Sequence, residues 1–198
     1  VIGGMLWPDG KLPARWPEFA VLIQAGIRGV EAGTGEEARP KIMIHIDRGG
    51  DASAARWFYD HLVDRGVKFD VIGLSYYPWW HASLEDLRAT MNLLARQYRK
   101  PIMVVETAYP WTLSWFDDTH NIVGLENQLH PAYPATVAGQ QAFLDDLADL
   151  VKSTPEGLGQ GVFYWSPEWI AVEGVGSAWE NLTLFDQHGE IHYGEAVK

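Results

Sequence analysis

The sequence predicts an α/β fold built from parallel βαβ units. Three observations carry that prediction. Short apolar runs alternate with longer segments whose apolar residues recur at helical spacing. The short runs are continuous rather than alternating, as in strands covered on both faces, and Lys100-Pro101-Ile102-Met103-Val104-Val105-Glu106 is the clearest of them. Chemistry-bearing residues gather where these runs end: His45 and Asp47, Tyr76 and Tyr77, Glu106, and Trp165. In a parallel sheet those ends share one rim.

The elements follow in order. Residues 1–17 form a loop rich in Gly and Pro, and a helix over 16–30 carries Phe19, Leu22, Ile23 and Ile27 on one side. A Gly- and Glu-rich connector leads through Pro40 to a strand over 41–47 and a Gly49-Gly50 turn. The helix over 52–65 carries Trp57, Phe58, His61 and Leu62, and Gly66 ends it as a C-cap glycine does. The strand over 69–78 runs into Trp79-Trp80-His81. Ser83 with an acid three residues on, Asp86, opens a helix that reaches Tyr98. The Glu106 strand is next, then a long loop over 111–134. Thr136 starts a helix over 137–152, and Gly159-Gln160-Gly161 precedes a last strand over 162–165. Four parallel strands make either a small open sheet or half of an eight-stranded barrel. No G-x-G-x-x-G or G-x-x-x-x-G-K-[ST] follows a strand, which argues against a nucleotide-binding sheet.

Composition narrows the function. A chain of 198 residues with 47% hydrophobic and 21% charged residues is a globular domain with a real core. A net charge of −11 argues against nucleic acid and against an anionic membrane surface. No apolar run approaches a membrane span. The absence of cysteine excludes disulfides, thiolate metal sites and a cysteine nucleophile. Ten tryptophans, several beside Pro or Gly in loops, favour a carbohydrate groove over a purely structural use. An acid ending an apolar strand among aromatics, Glu106, suits sugar cleavage; a helix-capping or arginine-paired carboxylate is the plainer reading. Glycoside hydrolysis usually needs two carboxylates, and neither Asp47 nor Glu168 stands out as the second. Asp70 begins its strand and faces the other end.

Four stretches go further: Gly4-Met5-Leu6-Trp7-Pro8, Asp70-Val71-Ile72-Gly73-Leu74-Ser75-Tyr76-Tyr77-Pro78-Trp79-Trp80-His81, Val105-Glu106-Thr107-Ala108-Tyr109-Pro110-Trp111 and Gly161-Val162-Phe163-Tyr164-Trp165. Together they resemble glycoside hydrolase family 53, the arabinogalactan endo-β-1,4-galactanases, from Met5 to Asp186. The resemblance implies a (β/α)8 TIM barrel, of which residues 1–198 would be the C-terminal half of a single catalytic domain, a half barrel of strands five to eight. It implies a retaining endo-hydrolase of the β-1,4-galactan side chains of pectin, with Glu106 as nucleophile. The acid/base, the glutamate of an Asn-Glu pair, is expected immediately upstream of Val1, so that these residues alone would be inactive. The polysaccharide is the implied partner, no cofactor is required, and a secreted, periplasmic or cell-surface location is expected, although no signal peptide opens the sequence.

By the same resemblance Tyr76 orients the nucleophile and Trp165 is the platform under the sugar at the cleavage point. His45, Asp47, Tyr77 and Trp80 would complete the groove. Core packing or another structural role is the plainer reading for several of these. Some bacterial members bind Ca²⁺ in the loop after the nucleophile. Asp117, Asp118, His120 and Asn121 have the residue types for a structural Ca²⁺ but not the clean alternation, and a solvated acidic loop is the alternative. Two rivals remain: a non-catalytic galactan-binding fragment, and a retaining barrel glycosidase of other linkage preference. A half barrel also leaves raw sheet edges, which invite self-association.

Overall fold

A computed structural model describes residues 15–34 and 38–192. The predicted loop over 1–17 therefore lies almost wholly outside the described residues. Eight principal elements alternate: α1 Trp16–Thr34, β1 Met43–Ile46, α2 Ala52–Val63, β2 Val71–Ser75, α3 Leu84–Tyr98, β3 Ile102–Glu106, α4 Val137–Lys152 and β4 Gly159–Val162. The strands form one sheet in the order β1-β2-β3-β4, and every pair is parallel. Strand order does not reverse, so crossovers of one hand put successive helices on the same face. That is the arrangement of a barrel wall, unlike a doubly wound sheet, whose order turns back on itself.

The two faces of the sheet differ accordingly. Ile44, Ile46, Ile72, Leu74, Ile102 and Val104 point to the helices and are buried against Phe58, Leu62, Leu87, Met91, Phe143 and Leu147. Residues between them in β1 and β3, among them Met43, His45, Met103 and Val105, are only half-buried. They form the inner face. β2 lies between β1 and β3 and is buried throughout. On the inner face Gly73 has a packing reason: a Cβ there would lie 2.8 Å from Met43 Sδ and 3.2 Å from His45 Cβ.

Helix ends follow local sequence. The Ser83 side chain accepts from the Asp86 amide while the Asp86 carboxylate accepts from the Ser83 amide, the reciprocal pair that satisfies two orphan donors. Thr136 caps α4 by accepting from Gly139 N–H at 3.0 Å, and Asp51 caps α2 through Ala54 N–H. Gly66, with φ of 69°, takes the left-handed conformation just after α2.

The last strand departs from the expected position. The aromatic run over 162–165 reads as a strand, but β4 pairs with β3 from Ile102↔Gly159 to Val104↔Val162. Gly159 and Gly161 look like breakers in sequence, yet both belong to β4. At Gly159 a Cβ would sit 1.8 Å from the Val151 carbonyl oxygen, so only glycine lets β4 pass under the end of α4. The following residues still track β3: Phe163 N–H donates to Val104 O and Trp165 N–H to Thr107 O, each at 2.8 Å.

Candidate active site

Glu106 is the last residue of β3, at the C-terminal rim of the sheet. It is paired in register with Ser75, the last residue of β2. Tyr77, two residues further on, donates its hydroxyl to Glu106 Oε2 at 3.3 Å. On the other side His45 Nε2 stands 3.9 Å from Glu106 Oε1 and 2.7 Å from Ser75 Oγ. The carboxylate thus lies between a phenol from β2 and an imidazole from β1.

Burial, and after it the neighbouring Glu106 charge, hold the Tyr77 hydroxyl protonated far above the ordinary phenol range. It is therefore a standing donor to the carboxylate. Burial lowers the affinity of His45 for a proton, partly offset by Glu106. His81 is likewise pushed down by burial, against the pull of Asp47. Its Nδ1 accepts the Tyr77 backbone N–H at 3.0 Å, which leaves any ring proton of the neutral form on Nε2.

A cavity of about 390 Å³ opens over Glu106, lined by Asp47, Arg48, Ser75, Tyr77, Trp80 and His81. A second, of about 280 Å³, shares Asp47, Arg48, Trp80 and His81 with it and extends to Gly50, Asp51 and Ala82. The two make a continuous groove. Gly50 lets its wall close: a Cβ there would fall 1.6 Å from the His81 carbonyl oxygen. Trp80, 57% exposed, presents its ring to this groove. Its edge packs on Tyr77 at 5.4 Å between centroids. Trp165 is 45% exposed beyond β4; its N–H donates to the Thr107 carbonyl and its carbonyl accepts from Trp179 Nε1–H at 3.1 Å. Tyr77 packs edge-on against the Trp179 ring at 5.8 Å.

Tyr76 departs from the expectation. It is fully buried, its hydroxyl donates to the Ala82 carbonyl at 3.0 Å, and its ring stacks near Phe143 of α4. It faces the helix layer, and the contact with Glu106 expected of it is made by Tyr77. The cause is the two-residue alternation of extended chain, shifted by an irregularity between Leu74 and Ser75 that brings Ser75 opposite Glu106. Ser75 and Arg48 were not singled out by sequence. The only signal for Ser75 is a hydroxyl closing an otherwise apolar strand.

The expected Ca²⁺ loop is arranged differently. Among the described residues no group of three or more His, Asp or Glu side chains is placed to hold a metal ion. Asp117 accepts from the Thr119 and Ser177 amides. Asn121 donates to the Ser114 carbonyl, and His120 lies against Trp115. Asp118, exposed, lines an open cavity with Asp117 and Glu173. The buried Glu180 carboxylate accepts the Phe116 amide at 2.8 Å. The loop is fastened to the 177–180 segment by carboxylate–amide bonds, and the four residues do not converge on a cation.

Comparison with known proteins places this geometry. The family model described as glycosyl hydrolase family 53 matches residues 1–194. A protein of Niallia circulans, described only as an uncharacterized protein in the bgaB 5′ region, is 47% identical over 199 residues, covering 94% of this chain and 54% of that protein. The arabinogalactan endo-β-1,4-galactanase of Cellvibrio japonicus is 39% identical over 179 residues, covering 86% of this chain and 46% of its own length. The solved family 53 catalytic domain of Ignisphaera aggregans superposes with a TM-score of 0.86 at 37% identity, over 94% of this chain and 52% of that one. The chain spans about half the length of the relatives it matches, and its four-stranded sheet corresponds to half of their (β/α)8 barrel. The chain belongs to glycosyl hydrolase family 53.

Proposed function

We propose that this chain is the C-terminal half of the single catalytic domain of a retaining endo-β-1,4-galactanase, acting on the galactan side chains of pectin. The observation that carries the reading is Glu106 at the end of β3, hydrogen-bonded by Tyr77 at the floor of a groove walled by Trp80 and His81. Support for the substrate comes from relatives named arabinogalactan endo-β-1,4-galactanase. Glu106 attacks the anomeric carbon to give a glycosyl-enzyme, and an acid/base glutamate outside the described residues protonates the leaving oxygen and then activates water. Retention calls for about 5–5.5 Å between the two carboxyl groups. Asp47, beside Arg48 at 3.3 Å, and Trp80 meet sugar hydroxyls and faces along the groove, and Trp165 carries the ring at the cleavage point. A polymeric substrate too large to cross a membrane puts the enzyme outside the cytoplasm. Among the described residues, no helix is long and apolar enough to span a membrane.

The test is galactan hydrolysis by this chain and by the chain extended upstream of Val1. Turnover in the extended form, lost in Glu106→Gln, supports the reading; no turnover in either, with galactan binding retained, favours a binding role. Product analysis on galactan against mannan and cellulose decides linkage preference.

A further inference from the structure

Ser75 lies on the inner face of β2, 3% exposed, opposite Glu106. Among the described residues its hydroxyl has one partner, His45 Nε2 at 2.7 Å. A buried hydroxyl with one partner donates to it, because the reverse arrangement, Nε2–H donating to Oγ, leaves the O–H without an acceptor. Nε2 then carries the lone pair and the ring proton sits on Nδ1. Room for the imidazole to lie across β2 comes from Gly73, its register partner, where a Cβ would lie 3.2 Å from His45 Cβ.

This has a consequence at the carboxylate. Oε2 of Glu106 accepts from Tyr77. Oε1 faces His45 Nε2 at 3.9 Å, beyond hydrogen-bond reach, and with the lone pair on that nitrogen the atom facing the carboxylate carries no hydrogen. We propose that Ser75 is a positioning residue that holds His45 in the Nδ1–H tautomer and so reserves Oε1 of Glu106 for attack. The inference rests on the reading of Glu106 as nucleophile. In the step it serves, the Oε1–anomeric carbon bond forms as the glycosidic C–O bond breaks. The leaving oxygen takes the electron pair and a proton from the acid/base, which recovers that proton from the water of the second step. The opposite tautomer would put a hydrogen, with its positive charge density, on the nitrogen 3.9 Å from Oε1 and so weaken the attacking carboxylate through space. Among the described residues, the charged groups facing His45 are Glu106 from β3 and Asp47, just past the end of its own strand.

The test is long-range ¹H–¹⁵N spectroscopy of the protein labelled with ¹⁵N-histidine, at a pH above the imidazole titration, with His45 assigned through His45→Gln. The proposal expects Nδ1 protonated and Nε2 bare in the wild type, a shift toward Nε2–H in Ser75→Ala, and recovery in Ser75→Thr, which keeps the hydroxyl. The spectrum is independent of turnover, so the expected tautomer together with no turnover in the chain extended upstream of Val1 counts against the nucleophile reading alone. A wild-type ring carrying its proton on Nε2, which needs no variant to fold, overturns the proposal, as does an unchanged tautomer in folded Ser75→Ala.

Discussion

The Tyr77 hydroxyl lies 3.3 Å from Oε2 of Glu106 and joins the ends of β2 and β3. The phenol is protonated at any working pH, so the bond is charge-assisted, a class that contributes about 1.5–3 kcal/mol. Tyr77→Phe keeps the ring among Trp80 and Trp179 and removes only this donor. In the chain extended upstream of Val1, kcat/KM on galactan should fall by roughly 10- to 150-fold with the melting temperature almost unchanged. Equal losses from Tyr76→Phe would contradict the assignment, since the Tyr76 hydroxyl serves the Ala82 carbonyl instead.

Gln140, fully buried in α4, ties the tail to the barrel wall. Its Nε2 donates to Tyr109 O at 2.7 Å, Thr183 O at 3.0 Å and Tyr164 Oη at 3.1 Å. Gln140→Leu takes this donor from all three, although Tyr164 Oη and the Tyr109 backbone still pair with each other, and under-satisfied buried polar groups cost about 1–3 kcal/mol. Denaturant unfolding should show a loss of at least about 2 kcal/mol. A loss below about 0.5 kcal/mol, the range of an ordinary surface substitution, would mean the network is not what holds the tail.

Much of this was legible in sequence, and the reasons are local. The Ser83 and Thr136 caps, the apolar stripes of α2 to α4 and the unbroken apolar run of β3 are each written within one turn or strand. What escaped depends on partners distant in sequence. Which of Tyr76 and Tyr77 faces Glu106 depends on the irregular register of β2 against β3. The extent of β4 depends on where β3 runs, and the Ser75–His45 contact joins residues 30 apart. The Asp117 loop shows the same limit: its residue types suit a cation, but its fold turns Asp117 toward amides and Asn121 toward a carbonyl.

Burial lowers the proton affinity of His45, His81 and His192. With folded values below the ordinary value near 6.5, the unfolded chain binds protons first as pH falls. The contribution of these histidines to stability is therefore present above about pH 6.5 and is lost as pH falls toward their folded values. Thermal unfolding at pH 7.5 and pH 5.5 should give the lower midpoint at pH 5.5, with a smaller gap in His192→Gln. An unchanged gap would remove His192 from the account.

Glu180 has the opposite sign. It is 2% exposed, and burial raises its pKa, the charge of Asp117 adding to this. The charged form is disfavoured in the fold, so Glu180 costs stability at neutral pH and recovers it on acidification through its raised value. Glu180→Gln keeps an acceptor for the Phe116 amide and should raise the melting temperature at pH 7.5 but not at pH 4. A variant less stable at pH 7.5 would show that the charge itself holds the 116–121 loop.

Within the described sheet β1 and β4 each have a neighbour on one side only, and such edges template pairing with other chains. The 198-residue chain expressed alone should associate, with a light-scattering mass above its 22.2 kDa. A monomer with a cooperative thermal transition would show that these edges are closed by other means.

In the proposed function, Glu106 is the nucleophile of a retaining galactanase. The most direct measurement is trapping the chain extended upstream of Val1 with an activated 2-deoxy-2-fluoro-β-galactoside, followed by peptide mass spectrometry. One added fluoroglycosyl group is expected on the peptide spanning Ile102–Glu106, with fragmentation placing it on Glu106. A label on any other residue, or galactan turnover persisting at wild-type rate in Glu106→Ala, would contradict it.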